Sequence, residues 1–198
     1  VAVVGTRRPT VYGKMSAEKI AKELVHNGIT TVSGLARGID TVVHQTTLSY
    51  KGRTLAVVGN GLNRHYPPEN RRLEDSIVKS GAIISEFPLN YPPDKTNFPR
   101  RNRIISGISL ATVVVEADEN SGALITAKLA ASQGKDVFAI PGSIFSNLSK
   151  GPHMLIKQGA KLVETATDII DDIAPLTELV KRQKKEVVIE LIPQLTED

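Results

Sequence analysis

The fold is decided by the stretch VAVVGTRRP at residues 1–9, in which four apolar residues lead directly into a glycine. A continuous apolar run without polar alternation is typical of a parallel strand that helices cover on both faces. The glycine lets backbone amide groups approach a phosphate, and the two arginines could grip that phosphate bidentately. An ordinary strand-to-helix turn with solvated arginines explains the same residues, so the stretch predicts the strand and leaves the phosphate site open.

The residues after this strand predict an amphipathic helix. Apolar residues recur at the spacing of one helix face, and a glycine at position 28 ends the pattern. The residues of this face are Ala17, Ile20, Ala21, Leu24 and Val25.

Strand and helix patterns alternate along the rest of the chain. Apolar runs predict further strands at residues 30–33, 54–58, 82–85, 112–116, 137–140 and 161–163. Further helices are expected at residues 40–50, 70–80, 121–133 and 168–173. The alternation predicts an α/β fold, a doubly wound and mainly parallel sheet with helices on both faces. Ligands bind such sheets beyond the carboxyl ends of the strands, so the loops at those ends matter most.

Bulk composition limits the function classes only weakly. The 198 residues suffice for one well-buried domain. A net charge of +4 and a pI of about 9.3 do not by themselves indicate nucleic acid, because the distribution of charge must decide. The absence of cysteine excludes disulfides and thiolate chemistry and fits a reducing compartment. No apolar stretch approaches the ~18 residues of a membrane span, and no signal peptide is visible.

Both ends of the chain carry an expectation about domains. The chain starts inside an apolar run without an initiating methionine, so we expect a fragment whose N-terminal part is missing. Residues 1–176 are expected to form the Rossmann-like core. Residues 181–186 make a basic stretch that predicts a linker, and the apolar residues 187–192 predict another element, cut short. The interpretation of residues 177–198 is therefore a basic linker with the start of a truncated C-terminal element.

The loop after the second strand, SGLARGID at residues 33–40, is a candidate phosphate cradle. Two glycines flank a small residue and a cation just before a helix, which lets the backbone wrap an anion. The candidate binding residues here are Ser33, Gly34, Arg37 and Gly38.

Two residues at the start of the next helix have simpler interpretations. Asp40 fits a helix N-cap as well as a ligand contact. Asp40 and His44 lie four residues apart, as metal ligands on a helix do, but no third ligand is in sight. We therefore expect structural roles for both and predict no metal site.

The loop after the third strand, GNGLNRHYPP at residues 59–68, starts like a dinucleotide fingerprint. Arg64 occupies the position of the third glycine, and no Walker-type motif occurs anywhere in the chain. Neither NAD binding nor P-loop nucleotide hydrolysis is supported, and no cofactor is predicted.

The segment KTNFPRRNR at residues 95–103 is the most informative part of the chain. It carries four cations, no acid and one aromatic ring, and its proline suits the first turn of a helix. Cations and a ring together suit a sugar-phosphate chain with one base stacked on the ring. A solvated basic face with the ring in the core is the alternative, and some of the cations must point elsewhere, into structural salt bridges. The candidate binding residues are Lys95, Phe98, Arg101, Asn102 and Arg103.

Glu116 is a lone carboxylate at the end of the fifth strand. A general base needs an acid partner or a nucleophile, and the sequence offers neither beside it. We expect a structural or ligand-positioning role and predict no catalytic residue.

Several of these loops, taken in order, resemble one family. The matching motifs are GTR at residues 5–7, SGLARGID at 33–40, YP at 66–67, SE at 85–86, FPRRNRIISG at 98–107, Glu116 with SG at 121–122, and IPG at 140–142. Together they resemble the DprA family, also called Smf, over residues 1 to about 173. One departure is GPHMLI at residues 151–156, where that family more often has cysteine after the glycine.

The resemblance implies an extended Rossmann fold that binds single-stranded DNA without known turnover. It also implies homodimerisation and delivery of a RecA-type recombinase onto the strand, in the bacterial cytoplasm, during natural transformation (competence) or DNA recombination. Members often carry a helical N-terminal domain and a winged-helix C-terminal domain. By motif match, the DNA-contacting positions fall on Arg7, Lys95 and Phe98. Charge and loop position add Arg37, Arg101 and Arg103.

Two other functions remain open. Rossmann-like enzymes of the LOG family hydrolyse nucleoside monophosphates at the ribose, and they need a Pro-Gly-Gly-x-Gly-Thr turn followed by an acid. Here only Pro141 and Gly142 match that turn. A nucleotide-sensing module without turnover is the third possibility.

Overall fold

The chain folds into a seven-stranded sheet with helices on both faces. The computed structural model describes residues 1–191, with side chains described as far as residue 183. The strands are β1 (Ala2–Val4), β2 (Thr31–Ser33), β3 (Thr54–Val57), β4 (Ala82–Ile84), β5 (Ala111–Val114), β6 (Asp136–Ala139) and β7 (Lys161–Leu162). The α-helices are α1 (Val11–His26), α2 (Ile39–Ser49), α3 (Arg71–Ile77), α4 (Asn97–Gly107), α5 (Gly122–Ser132), α6 (Lys150–Lys157), α7 (Ala166–Asp172) and α8 (Ala174–Leu191).

The order of the strands places a ligand crevice in the middle of the sheet. The order is β4-β3-β2-β1-β5-β6-β7, and every neighbouring pair is parallel. The chain moves from β1 to one edge, returns, and continues from β5 to the other edge. The direction of winding therefore reverses between β1 and β5, and in open α/β sheets ligands bind outside the carboxyl ends at such a reversal.

The side chains of β1 show why the strands carry no polar alternation. Val1 and Val3 pack in one core cluster together with residues of α1, α7 and α8. Ala2 and Val4 pack in a second cluster with residues of α4, α5 and α6. Successive side chains of a strand point to opposite faces, so a sheet buried on both faces needs apolar residues at every position.

The first helix starts and ends where its sequence provides caps. The Thr10 side chain is the N-cap and accepts a hydrogen bond from the Gly13 amide. The helix ends at His26, and Gly28 follows with φ of 66°, a left-handed conformation that favours glycine. The predicted apolar face is buried at Ala17, Ile20, Ala21 and Leu24.

The predicted fold class and all seven predicted strands are confirmed. Two helices, α6 and α8, were not predicted. The helix α8 runs through residues 181–186, and Leu176 and Val180 near its start pack in the core. The interpretation of residues 177–198 as a basic linker stays a prediction. Residue 192, the last of the predicted apolar run, lies outside the described residues, and the existence of a further C-terminal element stays a prediction.

Among the helices of the described residues, none has the length and apolar character that crossing a membrane requires.

Candidate nucleic-acid interface

An open cleft of about 670 Å³ lies beyond the carboxyl ends of β1 and β5, where the winding of the sheet reverses. Exposed cations line one part of it, namely Arg7, Arg8 and Lys95. The Phe98 ring and the first residues of α5 line other parts. The cleft therefore brings positive charge, an aromatic ring and a helix N-terminus to one place, a combination that suits an anionic ligand with a planar group.

Phe98 is half-buried and held in place from several directions. The Tyr66 ring stacks on it with the centroids 5.6 Å apart and the planes at 30°. Cζ of Arg7 lies 5.4 Å from the Phe98 centroid, a cation–π contact. A Cβ atom on Gly59 would come within 2.8 Å of the ring, so glycine is needed at the end of β3 to admit it. The ring is therefore fixed at the rim of the cleft, with part of its surface still exposed.

Arg101 lies beneath the rim and not on it. Its guanidinium is buried, and Nη1 donates to the carbonyl oxygens of Gly34 and Val57, the first at 2.5 Å. Its Nε donates to the side-chain oxygen of Asn102 at 3.1 Å. Burial lowers the pKa of the Arg101 guanidinium to about 10, which leaves it charged at neutral pH. Arg101 therefore joins α4 to the loops after β2 and β3.

Asp40 organises the loop after β2 from the other side. Its carboxylate accepts hydrogen bonds from the backbone amides of Gly34 at 3.1 Å and Ala36 at 3.3 Å. Burial raises the pKa of this carboxyl group, and the nearby charge of Arg101 opposes that rise. Gly38 holds the N-cap position of α2, so Asp40 lies in the first turn of the helix and is not its N-cap.

Gly38 lets the loops after β1 and β2 meet. Its φ is 79°, and a Cβ atom there would lie 2.4 Å from the carbonyl oxygen of Thr6. The next residue, Ile39, donates its backbone amide to that same oxygen at 3.1 Å. Glycine is therefore required both for the conformation and for the close approach that sets Arg7 beside the cleft.

The predicted cations differ in what they contact. Arg37 pairs with Glu69 and Arg103 pairs with Glu86, both on exposed surface. Within the part of the chain that the structure describes, no ion pair involves Arg7 or Lys95.

Two predicted polar contacts are internal. The Ser33 hydroxyl is buried and donates to the carbonyl oxygen of Val3 at 2.7 Å. Asn102 is also buried, and its amide nitrogen donates to the carbonyl oxygen of Gly122 at 3.3 Å. Both side chains therefore link elements around the cleft.

The structure brings most of the predicted residues around this cleft and a small adjoining pocket. Ser33, Gly38 and Arg103 are not among the residues that line either of them. The residues that line one or both are Arg7, Gly34, Arg37, Lys95, Phe98, Arg101 and Asn102. The sequence analysis considered Arg8 beside Arg7 as a possible phosphate contact but did not count it among the candidate binding residues, and it did not select Tyr66. Arg8 is signalled only by its position next to Arg7, and the stacking of Tyr66 on Phe98 joins residues 32 positions apart in the sequence, which no local pattern reveals.

Glu116 has the structural role expected of it. Its buried carboxylate accepts hydrogen bonds from the Thr10 backbone amide at 2.9 Å and the Thr10 hydroxyl at 2.6 Å. A Cβ atom on Gly13 would collide with the same carboxylate, so the helix approaches it closely only because that residue is glycine. Glu116 thereby anchors the start of α1 to the end of β5.

His44 is a core residue. Its Nδ1 lies 2.7 Å from the Thr54 hydroxyl, and burial lowers the pKa of the ring to about 3, which keeps it neutral. No group of three or more His, Asp or Glu side chains within the described residues could hold a metal ion.

Comparison with known proteins gives one consistent result. The family model described as DNA recombination-mediator protein A matches residues 1–174. The chain is 46% identical to DNA processing protein DprA of Bacillus subtilis over 173 residues, which cover 87% of this chain and 58% of that protein. The chain therefore spans somewhat more than half the length of this relative.

Solved structures agree with the sequence match. DNA processing protein A from Streptococcus pneumoniae superposes with a TM-score of 0.82 at 45% identity, covering 87% of this chain and 60% of the other. The protein of the same name from Helicobacter pylori, whose structure concerns its single-stranded DNA binding mode, gives a TM-score of 0.79 at 31% identity, covering 91% and 80%. The resemblance drawn from the loop motifs is confirmed, and the chain belongs to the DNA recombination-mediator protein A family.

Proposed function

We propose that this chain binds single-stranded DNA in the cleft at the carboxyl ends of β1 and β5. The observation that carries the proposal is the placement of Arg7 and Lys95, both exposed, at the same cleft as the fixed ring of Phe98. Lysine and arginine neutralise backbone phosphates, and an aromatic ring stacks an unpaired base. The H. pylori relative, whose structure concerns single-stranded DNA binding, supports this choice of ligand.

The residues around the cleft divide into contacting and positioning groups in this proposal. Arg7, Arg8 and Lys95 contact phosphates, and the exposed part of Phe98 stacks a base. Arg101 keeps the loops after β2 and β3 in register with α4 and is a positioning residue. Ser121 caps the start of α5 by accepting from the Ala123 amide at 3.3 Å, which leaves a helix N-terminus facing the cleft that favours an anion.

The same geometry favours a single strand over a duplex. Bases in a duplex are stacked and paired, so a base stacks on the Phe98 ring only after extrusion from the duplex, which costs a few kcal/mol. Cations alone would bind either form, because phosphate contacts carry no information about strandedness. Phe98 is therefore the residue that makes the site selective.

We further propose that the cleft binds nucleic acid without turning it over. A general base has to reach the proton that it abstracts. The carboxylate of Glu116 at the end of β5 is occupied by Thr10, and Asp40 is buried against backbone amides. These contacts support a binding role and not a hydrolytic one.

The wider setting of the proposal rests on family membership. We propose that the protein acts in the cytoplasm as a homodimer and delivers a RecA-type recombinase onto the bound strand, during natural transformation or DNA recombination.

Equilibrium binding to a labelled oligothymidylate and to a duplex of the same length tests this proposal. We expect the single strand to bind more tightly than the duplex. We also expect a plot of log Kd against log salt concentration to rise with a slope of about 0.7 for each phosphate neutralised. Equal or tighter binding to the duplex would overturn the proposal.

A further inference from the structure

The loop after β6 displays two large apolar side chains to solvent. Phe145 is 92% exposed and Ile144 is 78% exposed. Adjacent large apolar side chains that are exposed on a folded domain indicate a surface that binds another molecule.

Hydrogen bonds fix the conformation of the loop that carries these residues. Tyr12 Oη donates to the carbonyl oxygen of Pro141 at 2.5 Å, which fastens the base of the loop to α1. The Gly142 amide donates to Nε2 of His153 at 3.3 Å. At the tip, the Ser146 amide donates to the carbonyl oxygen of Ser143 at 3.0 Å, closing a turn around the two exposed residues. The Phe145 ring is thus held outward by a hydrogen-bonded turn.

The exposed ring lies on the same edge of the sheet as the cleft. All seven strands are parallel, so the loop after β6 and the loops that form the cleft share the carboxyl edge. Leu148, near the end of the loop, lines the cleft, and its carbonyl oxygen accepts from the Ala117 amide at 2.8 Å. Tyr12 follows Arg7 and Arg8 by a few residues. A continuous surface therefore joins the cleft to Phe145 along the start of α1.

The charge along this surface favours a polyanion. The sequence has no acid in residues 1–17 or in residues 137–163, the two segments that form the surface. Asp118 and Glu119 follow β5 and precede α5, which packs on the opposite face of the sheet from α1. Asp118 lines the cleft, so a strand that leaves the cleft along α1 passes this carboxylate first and follows the acid-free segments beyond it. The exposed cations of the two segments are Arg7, Arg8, Lys14, Lys150, Lys157 and Lys161, of which Lys161 pairs with Asp136 and Asp172.

We infer that Phe145 is a second base-stacking position. A single strand held at Phe98 would cross the carboxyl edge of the sheet beside α1 and stack another base on Phe145. The inference rests on the proposed function and deepens it. Phe98 packs against Gly59 at the end of β3, and four strand spacings of about 4.8 Å separate β3 from β6. That span of about 19 Å corresponds to about six stacked nucleotides at roughly 3.4 Å each. At this stacked spacing a strand of four nucleotides spans roughly 14 Å, so it reaches Phe98 but not Phe145.

Strand length is therefore the variable that tests the inference. Oligothymidylates of about four and about fifteen nucleotides are titrated against the wild-type chain and against Phe145→Ala by fluorescence anisotropy. We expect Phe145→Ala to weaken binding of the longer strand by about 5- to 100-fold and to leave binding of the shorter strand unchanged. Because the side chain is exposed, its truncation leaves the melting temperature unchanged, which is checked on the same sample.

Two further variants separate stacking from other roles. Phe145→Tyr keeps a ring and is expected to restore binding of the longer strand, whereas Phe145→Leu keeps an apolar group and is not. Unchanged binding of the longer strand to Phe145→Ala would overturn the inference. The inference would also be overturned if Phe145→Ala lost self-association in sedimentation experiments but kept its affinity for DNA, because the exposed residues would then form a protein interface. Absence of binding to both strands by the wild-type chain would overturn the proposed function as well, so the two failures are distinguishable.

Discussion

Nη1 of Arg101 donates a 2.5 Å hydrogen bond to the carbonyl oxygen of Gly34 and so joins α4 to the loop after β2. The guanidinium occupies the space above Gly34 so closely that a Cβ atom there would lie 2.7 Å from it. The buried carboxylate of Asp40 accepts from the Gly34 amide, so one short loop is held between a buried cation and a buried anion. A residue that its sequence context assigns to the ligand is thus part of the scaffold that positions the site.

Replacement of Arg101 by alanine is expected to cost about 3–5 kcal/mol in the free energy of unfolding. Its removal leaves Asp40 buried without its neighbouring cation and leaves two carbonyl oxygens without a donor. Urea denaturation measures the loss. Arg103→Ala on the same helix is the control, because Arg103 forms an exposed pair with Glu86, and it should cost no more than about 1 kcal/mol. Similar stability of the two variants would contradict the buried role of Arg101.

Phe98→Ala is expected to weaken binding to single-stranded DNA by about 1–3 kcal/mol without changing the salt dependence, because stacking releases no counterions. The ring is half-buried, so the loss of folding stability should stay below the ~3–5 kcal/mol of a core phenylalanine. A salt titration and a thermal melt on the same sample measure both quantities. A large drop in melting temperature with normal DNA affinity would show that Phe98 is a core residue and not a binding residue.

His44 should make the protein less stable as the solution is acidified. The pKa of His44 in the folded protein, about 3, lies below the ~6.5 of an exposed histidine, so protonation of the ring favours the unfolded state. The stabilisation by the neutral ring is fully present above pH ~6.5 and is lost towards pH ~3, with a slope of up to about 1.4 kcal/mol per pH unit. Urea denaturation between those pH values should show a steeper loss for the wild type than for His44→Gln. Parallel curves would contradict the assignment.

Incubation with nucleoside monophosphates should release no free base and no phosphate. The expectation follows from the engagement of Glu116 by the amide and hydroxyl of Thr10, which leaves that carboxylate without a path to a substrate. Chromatography of the reaction mixture measures both products. Release of free base that disappears in Glu116→Gln would establish a hydrolase and overturn the proposal of binding without turnover.

The strands were predictable because their burial leaves a continuous apolar signal. The helix α6 was missed because Gly151 and Pro152 interrupt its pattern. In the structure the glycine is required, since a Cβ atom there would lie 2.6 Å from the Ala117 carbonyl oxygen, and the proline lies in the first turn, where helices tolerate it. The helix α8 was missed because the charged run at residues 181–186 resembles a linker.

The sequence predicted which loops form the candidate site. It did not predict which side chains in those loops are exposed and which are buried. The sequence analysis expected some cations of residues 95–103 to form salt bridges, and Arg103 does so with Glu86. It did not separate the buried Arg101 from the exposed Lys95, because burial on α4 depends on loops about 40 and 70 residues away along the chain.

Salt titration of two charge-matched variants tests the central claim most directly. Lys95→Ala and Arg103→Ala each remove one exposed positive charge from the same segment, but only Lys95 lines the cleft. The dependence of log Kd on log salt for single-stranded DNA should flatten by about 0.7 for Lys95→Ala and stay unchanged for Arg103→Ala. An equal change for both variants, or a change for Arg103→Ala alone, would contradict a binding site in the cleft between β1 and β5.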